Sequence, residues 1–449
     1  MATVSALTVR AGRRAEAGLL VLAVGIGVAA WGFVDNNAGE GIGASLAVYG
    51  VALALMAAAA HTVLRLRAAW ADPVLLPAVF ALNALGLALI HRVDLAYAAK
   101  GRDTHFAQTQ TIWAVLGITV AMIVVGVLKD HRLLRRYTYT AGVVGLVLLL
   151  LPLLPGIGRT VNGAQIWVSI FGRSFQPGEF AKIAFVIFFA GYLVTNRDTL
   201  TLAGPKILGI RFPRARDLGP IVAVWAMALV VQVYQRDLGA SLLFFGIFVA
   251  MLYVATERIS WVIVGLGLFM VGAVLAGTLF GHVGSRYEAW LHALDTDVYA
   301  GGASYQLVQG LFGMASGGLF GTGLGEGSPG LVPYAESDFI IATLGEELGL
   351  TGLLAILTLY VIIVQRAMRA AIGVRDGFGK LVAAGLGFAL ALQVFVVVGG
   401  VTRVIPLTGI TTPFLAYGGS ALIANWIVIA LLLRISDQAR RGASEAATV

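Results

Sequence analysis

Cysteine is absent from all 449 residues, which excludes a disulfide framework and any thiolate-held metal site. Charge is scarce. Asp, Glu, Lys and Arg make up 12% of the chain, about half the share of an ordinary soluble domain. A water-soluble globule of this length is excluded, because those residues dominate water-facing positions. The six histidines are scattered, so a histidine-based metal centre has no motif behind it. Neither a Gly-x-x-x-x-Gly-Lys-Ser/Thr phosphate loop nor a His-Glu-x-x-His pair occurs. Gly321-Thr-Gly-Leu-Gly325 follows no βαβ pattern, which argues against a nucleotide fold. No internal period of 20–50 residues and no soluble domain stand out. The first apolar run has span length and lacks a small-residue cleavage motif, so no cleavable signal is expected.

Hydrophobic residues are what the chain has in abundance: 59% of the total, with a mean hydropathy of +0.89. They fall in long uncharged runs, and about 18 such residues are enough to cross the hydrocarbon core. The runs predict an all-α polytopic membrane protein of about twelve helices, near 17–34, 43–64, 74–91, 110–128, 139–155, 179–195, 218–234, 237–256, 260–280, 338–364, 379–401 and 415–435. The break between the seventh and eighth rests on Gln235-Arg236-Asp237.

Cations test this map independently. With a cytoplasmic N-terminus, 22 of the 31 lysines and arginines lie in or beside cytoplasmic segments and eight in outer loops, with Lys182 inside a span. The positive-inside rule expects that bias. Both termini are therefore expected in the cytoplasm, with 92–109, 156–178, 281–337 and 402–414 facing outward. The net charge of +8 fits attraction to anionic membrane lipids, as at Lys129, Arg132, Arg135 and Arg136, and not nucleic-acid binding.

Segment 281–337 is far longer than the usual connection between bundled helices, and its aromatic and Gln residues favour a packed segment, partly re-entrant or lying on the membrane surface, over a floppy loop. Ionisable residues at membrane depth are costly unless paired or hydrated, so they mark candidate sites. Glu179 and Lys182 are three apart on one helix face, which fits either a site or a structural ion pair. Arg236 and Asp237 interrupt an apolar run and fit a loop-end pair at least as well as a ligand site. Glu346 and Glu347 lie about two turns into the tenth span. Arg403 sits in Gly399-Gly-Val-Thr-Arg403-Val-Ile-Pro406, which reads as a helix broken near the outer surface. Asp338 opens the tenth span, where an N-cap role competes with chemistry. For Trp113 the competing reading is an interfacial anchor.

Ordered motifs then carry a resemblance. These are Gln176-Pro-Gly-Glu179-Phe-Ala-Lys182, Asp237-Leu-Gly-Ala-Ser241, Ser316-Gly-Gly-Leu-Phe-Gly-Thr-Gly-Leu-Gly325, Glu336-Ser-Asp338-Phe-Ile-Ile, Pro406-Leu-Thr-Gly409 and Pro413-Phe-Leu-Ala-Tyr417-Gly-Gly-Ser420. Each is weak alone, and their shared order is specific. From about residue 73 to 435 the chain resembles the SEDS family (shape, elongation, division and sporulation), the RodA/FtsW polymerases of bacterial cell-wall glycan, and most of all their actinobacterial RodA branch. It departs from the family at Arg236, where proline is usual, at Gly178, where serine is common, and at Ala421, where a second serine is usual.

The resemblance implies a ten-span polymerase core at 73–435. Residues 1–72 form a cytoplasmic N-terminus with two extra helices, and 436–449 a cytoplasmic tail. It implies a peptidoglycan glycosyltransferase acting on lipid II at the outer face of the bacterial plasma membrane during elongation, beside a class B penicillin-binding transpeptidase. It marks Asp338 as catalytic and the Gln108–Trp113 segment as needed for activity.

Joining sugars requires a base for the acceptor hydroxyl and positive charge for the departing polyprenyl pyrophosphate. Asp338 is the candidate base. Lys182, Arg236, Arg286 and Arg403 are candidate pyrophosphate contacts, with Gln306 a further substrate contact. Trp113, Gln176, Glu179, Asp237, Glu336, Glu346, Glu347, Tyr417 and Ser420 are candidate supports. A divalent ion, Mg or Mn, held in part by Asp338 is a candidate cofactor, and no organic cofactor is expected. Expected partners are lipid II, the nascent polyprenyl-linked glycan, the transpeptidase and membrane lipids. A lipid II flippase, a division-type polymerase and a non-catalytic scaffold are the competing functions. Concentration of polar residues in 281–338 and 402–409, without a matching inner-half set, favours an outward-facing enzyme over a flippase.

Overall fold

The computed structural model describes residues 12–446 apart from 40, 42, 162, 171, 198–205, 208–209 and 212–214. The described helices are α1 (Arg13–Asn37), α2 (Ala44–Arg67), α3 (Leu75–Ala98), α4 (Phe106–Val127), α5 (Thr138–Leu150), α6 (Gly178–Thr195), α7 (Ala215–Tyr234) and α8 (Leu238–Thr256). They continue as α9 (Ser260–Leu279), α10 (Gly281–Leu291), α11 (Thr296–Ala300), α12 (Tyr305–Gly317), α13 (Ile340–Gly373), α14 (Gly377–Val401) and α15 (Gly419–Ala446). Eleven helices among the described residues are long and apolar enough to cross a bilayer. The remaining expected span coincides with α7, whose described apolar part, Gly219–Tyr234, is shorter.

Helices suit these sequences because hydrocarbon offers no partner for a backbone N–H or C=O, so each must be satisfied within its own segment. α3, α14 and α15 form the buried centre. Around them α1 packs on α3, α4 on α15, α5 on α6, and α13 on α14. α9 is peripheral, with Leu266, Leu268 and Val271 exposed. Apolar burial drives little helix association in lipid, so close approach matters. A Cβ on Gly86 of α3 would fall 2.7 Å from the Leu415 backbone, and only glycine lets that segment lie against the helix.

α13 is interrupted at Gly349, whose φ of 65° and ψ of −169° belong to glycine's region. The glycine-rich segment after α12 satisfies the freed groups. Leu350 and Thr351 N–H donate to the Gly318 and Leu319 carbonyls at 3.0 and 3.1 Å. Thr322 and Gly323 N–H donate to the Glu346 and Glu347 carbonyls at 2.9 and 3.0 Å. The long segment is therefore packed, as its composition predicts, and it carries three helices besides.

Three expectations on local structure change. α3 runs to Ala98, beyond the expected end at residue 91, because Arg92 finds a buried carboxylate, described below. An antiparallel sheet ordered β1 (Gly158–Val161), β2 (Ala164–Ile170), β3 (Arg173–Phe175) stands where only a loop is expected. Asp338 is no helix cap: Phe339 holds the N-cap position of α13, with no side-chain cap hydrogen bond.

Two ends of the bundle differ. Arg13 donates to the Ala71 carbonyl, and Asp437 of α15 accepts the Trp70 N–H at 2.8 Å, so both ends of the described chain meet there. At the other end lie the sheet, α10–α12 and the non-helical stretch 402–418.

Candidate active site

At that second end the turn 334–339 carries Asp338. Ser337 and Phe339 N–H both donate to the Tyr334 carbonyl, and Tyr334 itself is left-handed at φ 56°. The Phe339 ring is fully buried against Gly310 of α12 and anchors the turn. Two contacts at Glu336 set its height: Tyr97 Oη donates to Oε2 at 3.0 Å, and Tyr417 N–H donates to its carbonyl at 2.8 Å. The Asp338 carboxylate then lies over Gly409, with Oδ2 3.7 Å from where a Cβ would stand.

Arg286 of α10 reaches the same place. Its Nη1 donates to the Leu407 and Thr408 carbonyls, each at 3.2 Å, so the guanidinium straps the 402–418 stretch beside Asp338. It also feels the charges of Asp338 and Asp237. Asp237 caps α8, accepting the Ala240 N–H at 2.9 Å. Burial pushes the Asp237 carboxyl above its ordinary value, and Glu179 adds to this, while the Ala240 N–H and Arg286 oppose it.

Asp338 is more telling. Burial and the Glu336 charge push its carboxyl up to about 6, against the pull of Arg286, with Asp237 adding to the rise. The side chain keeps partial solvent access, so it is enclosed but reachable.

Behind this pair runs a buried polar chain. Lys182 Nζ lies 3.0 Å from Glu179 Oε2 and donates to Gln393 Oε1 at 2.8 Å, and Gln393 Nε2 donates to the Thr411 carbonyl at 3.0 Å. It ties α6 and α14 to the same 402–418 stretch. Gln393 and Tyr97 escape the sequence reading because uncharged polar residues in apolar runs give little signal.

The other candidates are spread around the site. Arg403, at φ 62°, turns away: Nε and Nη2 donate to the Trp290 and Leu291 carbonyls at 2.7 Å, capping α10. Arg236 is exposed, also left-handed, and makes no ion pair with Asp237. It borders the site through His282, whose imidazole is held below its ordinary value by burial and by the charges of Arg236 and Arg286. Gln306 Nε2 holds the Pro333 carbonyl at 3.1 Å, upstream of the Asp338 turn.

Glu346 accepts the Ser328 N–H at 2.8 Å, and Glu347 accepts the Gly325 N–H at 3.0 Å. Arg92, a residue the sequence reading left in a loop, donates to Glu347 Oε1 at 2.7 Å and to the Gly327 carbonyl at 2.5 Å. Those two glutamates thus pin the glycine-rich segment. The Trp113 ring packs on Gly419, and neighbouring Gln110 bonds the Ala416 carbonyl and Gly418 N–H at 3.0 and 3.1 Å. The Tyr417 ring lies 5.0 Å from Phe106, and Ser420 Oγ accepts the Gln176 N–H at 3.0 Å. Among the described residues no three His, Asp or Glu side chains converge to hold a metal.

A helical bundle that crosses the membrane many times and holds a raised carboxyl beside a strapped arginine at one end defines a multi-pass membrane protein with a polar site at its surface. The chain belongs to the FtsW/RodA/SpoVE family of cell cycle proteins, which it matches over residues 73–441. It is 50% identical over 432 residues to the peptidoglycan glycosyltransferase RodA of Mycobacterium tuberculosis, covering 96% of this chain and 91% of that protein. It is 32% identical to stage V sporulation protein E of Bacillus subtilis, covering 79% and 94%. The fold matches a chain of a solved peptidoglycan synthase complex at TM-score 0.64 and 24% identity, over 83% of this chain and 98% of that one. It matches the rod shape determining protein RodA of Thermus thermophilus at TM-score 0.58 and 24% identity, over 82% and 96%.

Proposed function

We propose that this chain is a peptidoglycan glycosyltransferase that polymerises lipid II into β-1,4-linked glycan at the outer face of the bacterial plasma membrane, in the service of cell elongation and shape. The observation that carries the mechanism is the Asp338 carboxyl, raised to about 6 and held beside Arg286 on the 402–418 stretch. At pH 7 such a group is about ten parts ionised to one protonated, and a stronger base than an ordinary aspartate. It accepts the proton of the acceptor sugar hydroxyl as that oxygen attacks the anomeric carbon of the donor. The bond to the polyprenyl pyrophosphate breaks as the new glycosidic bond forms. Arg286 faces the negative charge that develops on the leaving group, with Lys182 deeper on the same side.

No metal-binding cluster exists among the described residues, so a Mg or Mn ion would be carried mainly by the substrate phosphates, with Asp338 as one further ligand. The steps above do not depend on it. The cation bias supports a cytoplasmic placement for the end where both chain ends meet, with the site facing outward. The synthase complex that shares this fold supports a class B penicillin-binding transpeptidase as partner.

Purified protein with labelled lipid II tests the proposal. Asp338→Ala should abolish polymer while leaving the folded protein and partner binding intact. Polymerisation by that variant at near wild-type rate would remove Asp338 from the chemistry.

A further inference from the structure

The end of the bundle remote from Asp338 holds a cavity of about 620 Å³ at the meeting point of α2, α4, α13 and α15. Six cationic side chains line it: Arg67, Lys129, Arg132, Arg375, Arg434 and Arg441. Only two carboxylates accompany them, and both are engaged. Asp130 accepts the Arg132 N–H at 2.8 Å and Gln438 Nε2 at 3.2 Å, and Asp437 accepts the Trp70 N–H at 2.8 Å and Arg441 Nη2 at 3.0 Å.

Cations at helix C-termini often serve only to satisfy the last carbonyls. That role accounts for some of these groups, since Arg434 Nη1 donates to the Arg67 carbonyl at 2.6 Å and Arg375 to the Gly442 carbonyl at 3.2 Å. It does not account for the rest. The Arg67 and Lys129 side chains form no ion pair among the described residues, and both are exposed at the rim. Arg434 is 4% exposed, and its Nε is buried with no hydrogen-bond partner. Its nearest carboxylate oxygen, on Asp437, is 3.8 Å from Nη1, and a buried donor left unsatisfied is expensive unless an acceptor arrives.

We propose that this cavity binds a phosphate group, carried either by the headgroup of an anionic phospholipid or by a soluble phosphate. Guanidinium forks match phosphate oxygens in pairs. The rim lies at the ends of membrane-length helices, where headgroups are within reach. With a small turn of its side chain the Arg434 Nε–H would donate to one oxygen, and Lys129, Arg67 and Arg441 would close over the others. The assignment is independent of the polymerase reading, since it shares no residue with the Asp338 site.

The full chain, purified in neutral detergent, is assayed two ways. Native mass spectrometry measures retention of phosphatidylglycerol and cardiolipin against phosphatidylcholine. Thermal unfolding measures Tm against inorganic pyrophosphate. Lys129→Gln combined with Arg441→Gln removes two exposed rim charges with little threat to folding. Arg135→Gln combined with Arg136→Gln, which removes two exposed charges at the same end but outside the cavity, is the matched control. Each juxtamembrane cation contributes about fivefold to anionic-lipid affinity, so the cavity variant should bind roughly tenfold or more weakly. A loss of anionic-lipid retention clearly larger in the cavity variant than in the control supports the site with a lipid as its source. A pyrophosphate-dependent rise in Tm with the same variant pattern, without lipid selectivity, supports it with a soluble phosphate. Equal losses in the cavity variant and the control, or no loss in either assay, overturn it.

Discussion

Arg286→Gln separates the two tasks assigned to that arginine. In the wild type it opposes the burial and like charges that raise Asp338 to about 6. An opposite charge in close reach usually lowers a carboxyl by one to three pH units, so its removal should lift Asp338 by on the order of one. At pH 7 the base would then be about half ionised, which costs only about twofold in rate. Loss of the positive charge facing the leaving pyrophosphate costs more, on the order of 10²–10³, as for other donors aimed at developing charge. The two effects part company in a pH profile. Polymerisation of labelled lipid II between pH 5 and 9 should show an acid limb near 6 in the wild type. In Arg286→Gln the limb should sit near 7, on a plateau at least a hundredfold lower. Arg286→Lys should return the limb toward 6 while leaving the plateau depressed, because lysine restores charge without the planar guanidinium whose Nη1 straps Leu407 and Thr408. A wild-type profile with no limb near 6, or a limb that stays put in Arg286→Gln, would refute the coupling.

Two further outcomes follow from neighbouring geometry. Arg403→Gln should lower Tm by loosening α10 from the 402–418 stretch, and the acid limb of the pH profile should stay near 6, because the guanidinium serves the Trp290 and Leu291 carbonyls and not Asp338. Gly349→Ala should destabilise by roughly 3 kcal/mol or more, read as lost thermal stability and monodispersity. The alanine would need a left-handed backbone and would press its Cβ to 2.3 Å from the Gly321 nitrogen.

Much of this architecture is written locally in the chain. Apolar runs locate the spans because hydrocarbon thickness imposes their length. Asp338 stands out through the motif that carries the family resemblance, and Arg286 only as one of four cations that a leaving pyrophosphate could use. What escaped was pairing across sequence distance. Arg92 marks the end of a span when read alone, yet its partner Glu347 lies 255 residues away, and the pair lets α3 continue. The same gap hides the direction of Arg403, which looks available until Trp290 is placed beside it. The Gly349 break was masked by an apolar run that continues through it, since the compensating carbonyls come from residues 318 and 319. The sheet was closer to legible. Asn162-Gly163 is a strong hairpin dipeptide, and Gly163 turns at φ 79°. A reading tuned to helices passed over it.

The raised Asp338 carboxyl also carries a cost to folding that can be measured apart from catalysis. An unfolded aspartate titrates near 4, and this one titrates at about 6 in the fold. The folded state therefore holds the proton more tightly than the unfolded chain does. Protonated, below about pH 4, the group costs nothing. As pH climbs from about 4 to 6 stability falls, and above 6 the loss is complete and constant. Two pH units correspond to at most about 2.7 kcal/mol, and partial solvent access brings the expectation to roughly 1–2 kcal/mol. Asp338→Asn keeps the shape and removes the charge. Its Tm at pH 7.5 should exceed that of the wild type, the two should converge below pH 4, and polymer synthesis should be lost. A site shaped for chemistry at the expense of stability behaves this way. If the two proteins unfold alike at pH 7.5, the fold is not holding that carboxyl up, and its role as base loses its physical footing.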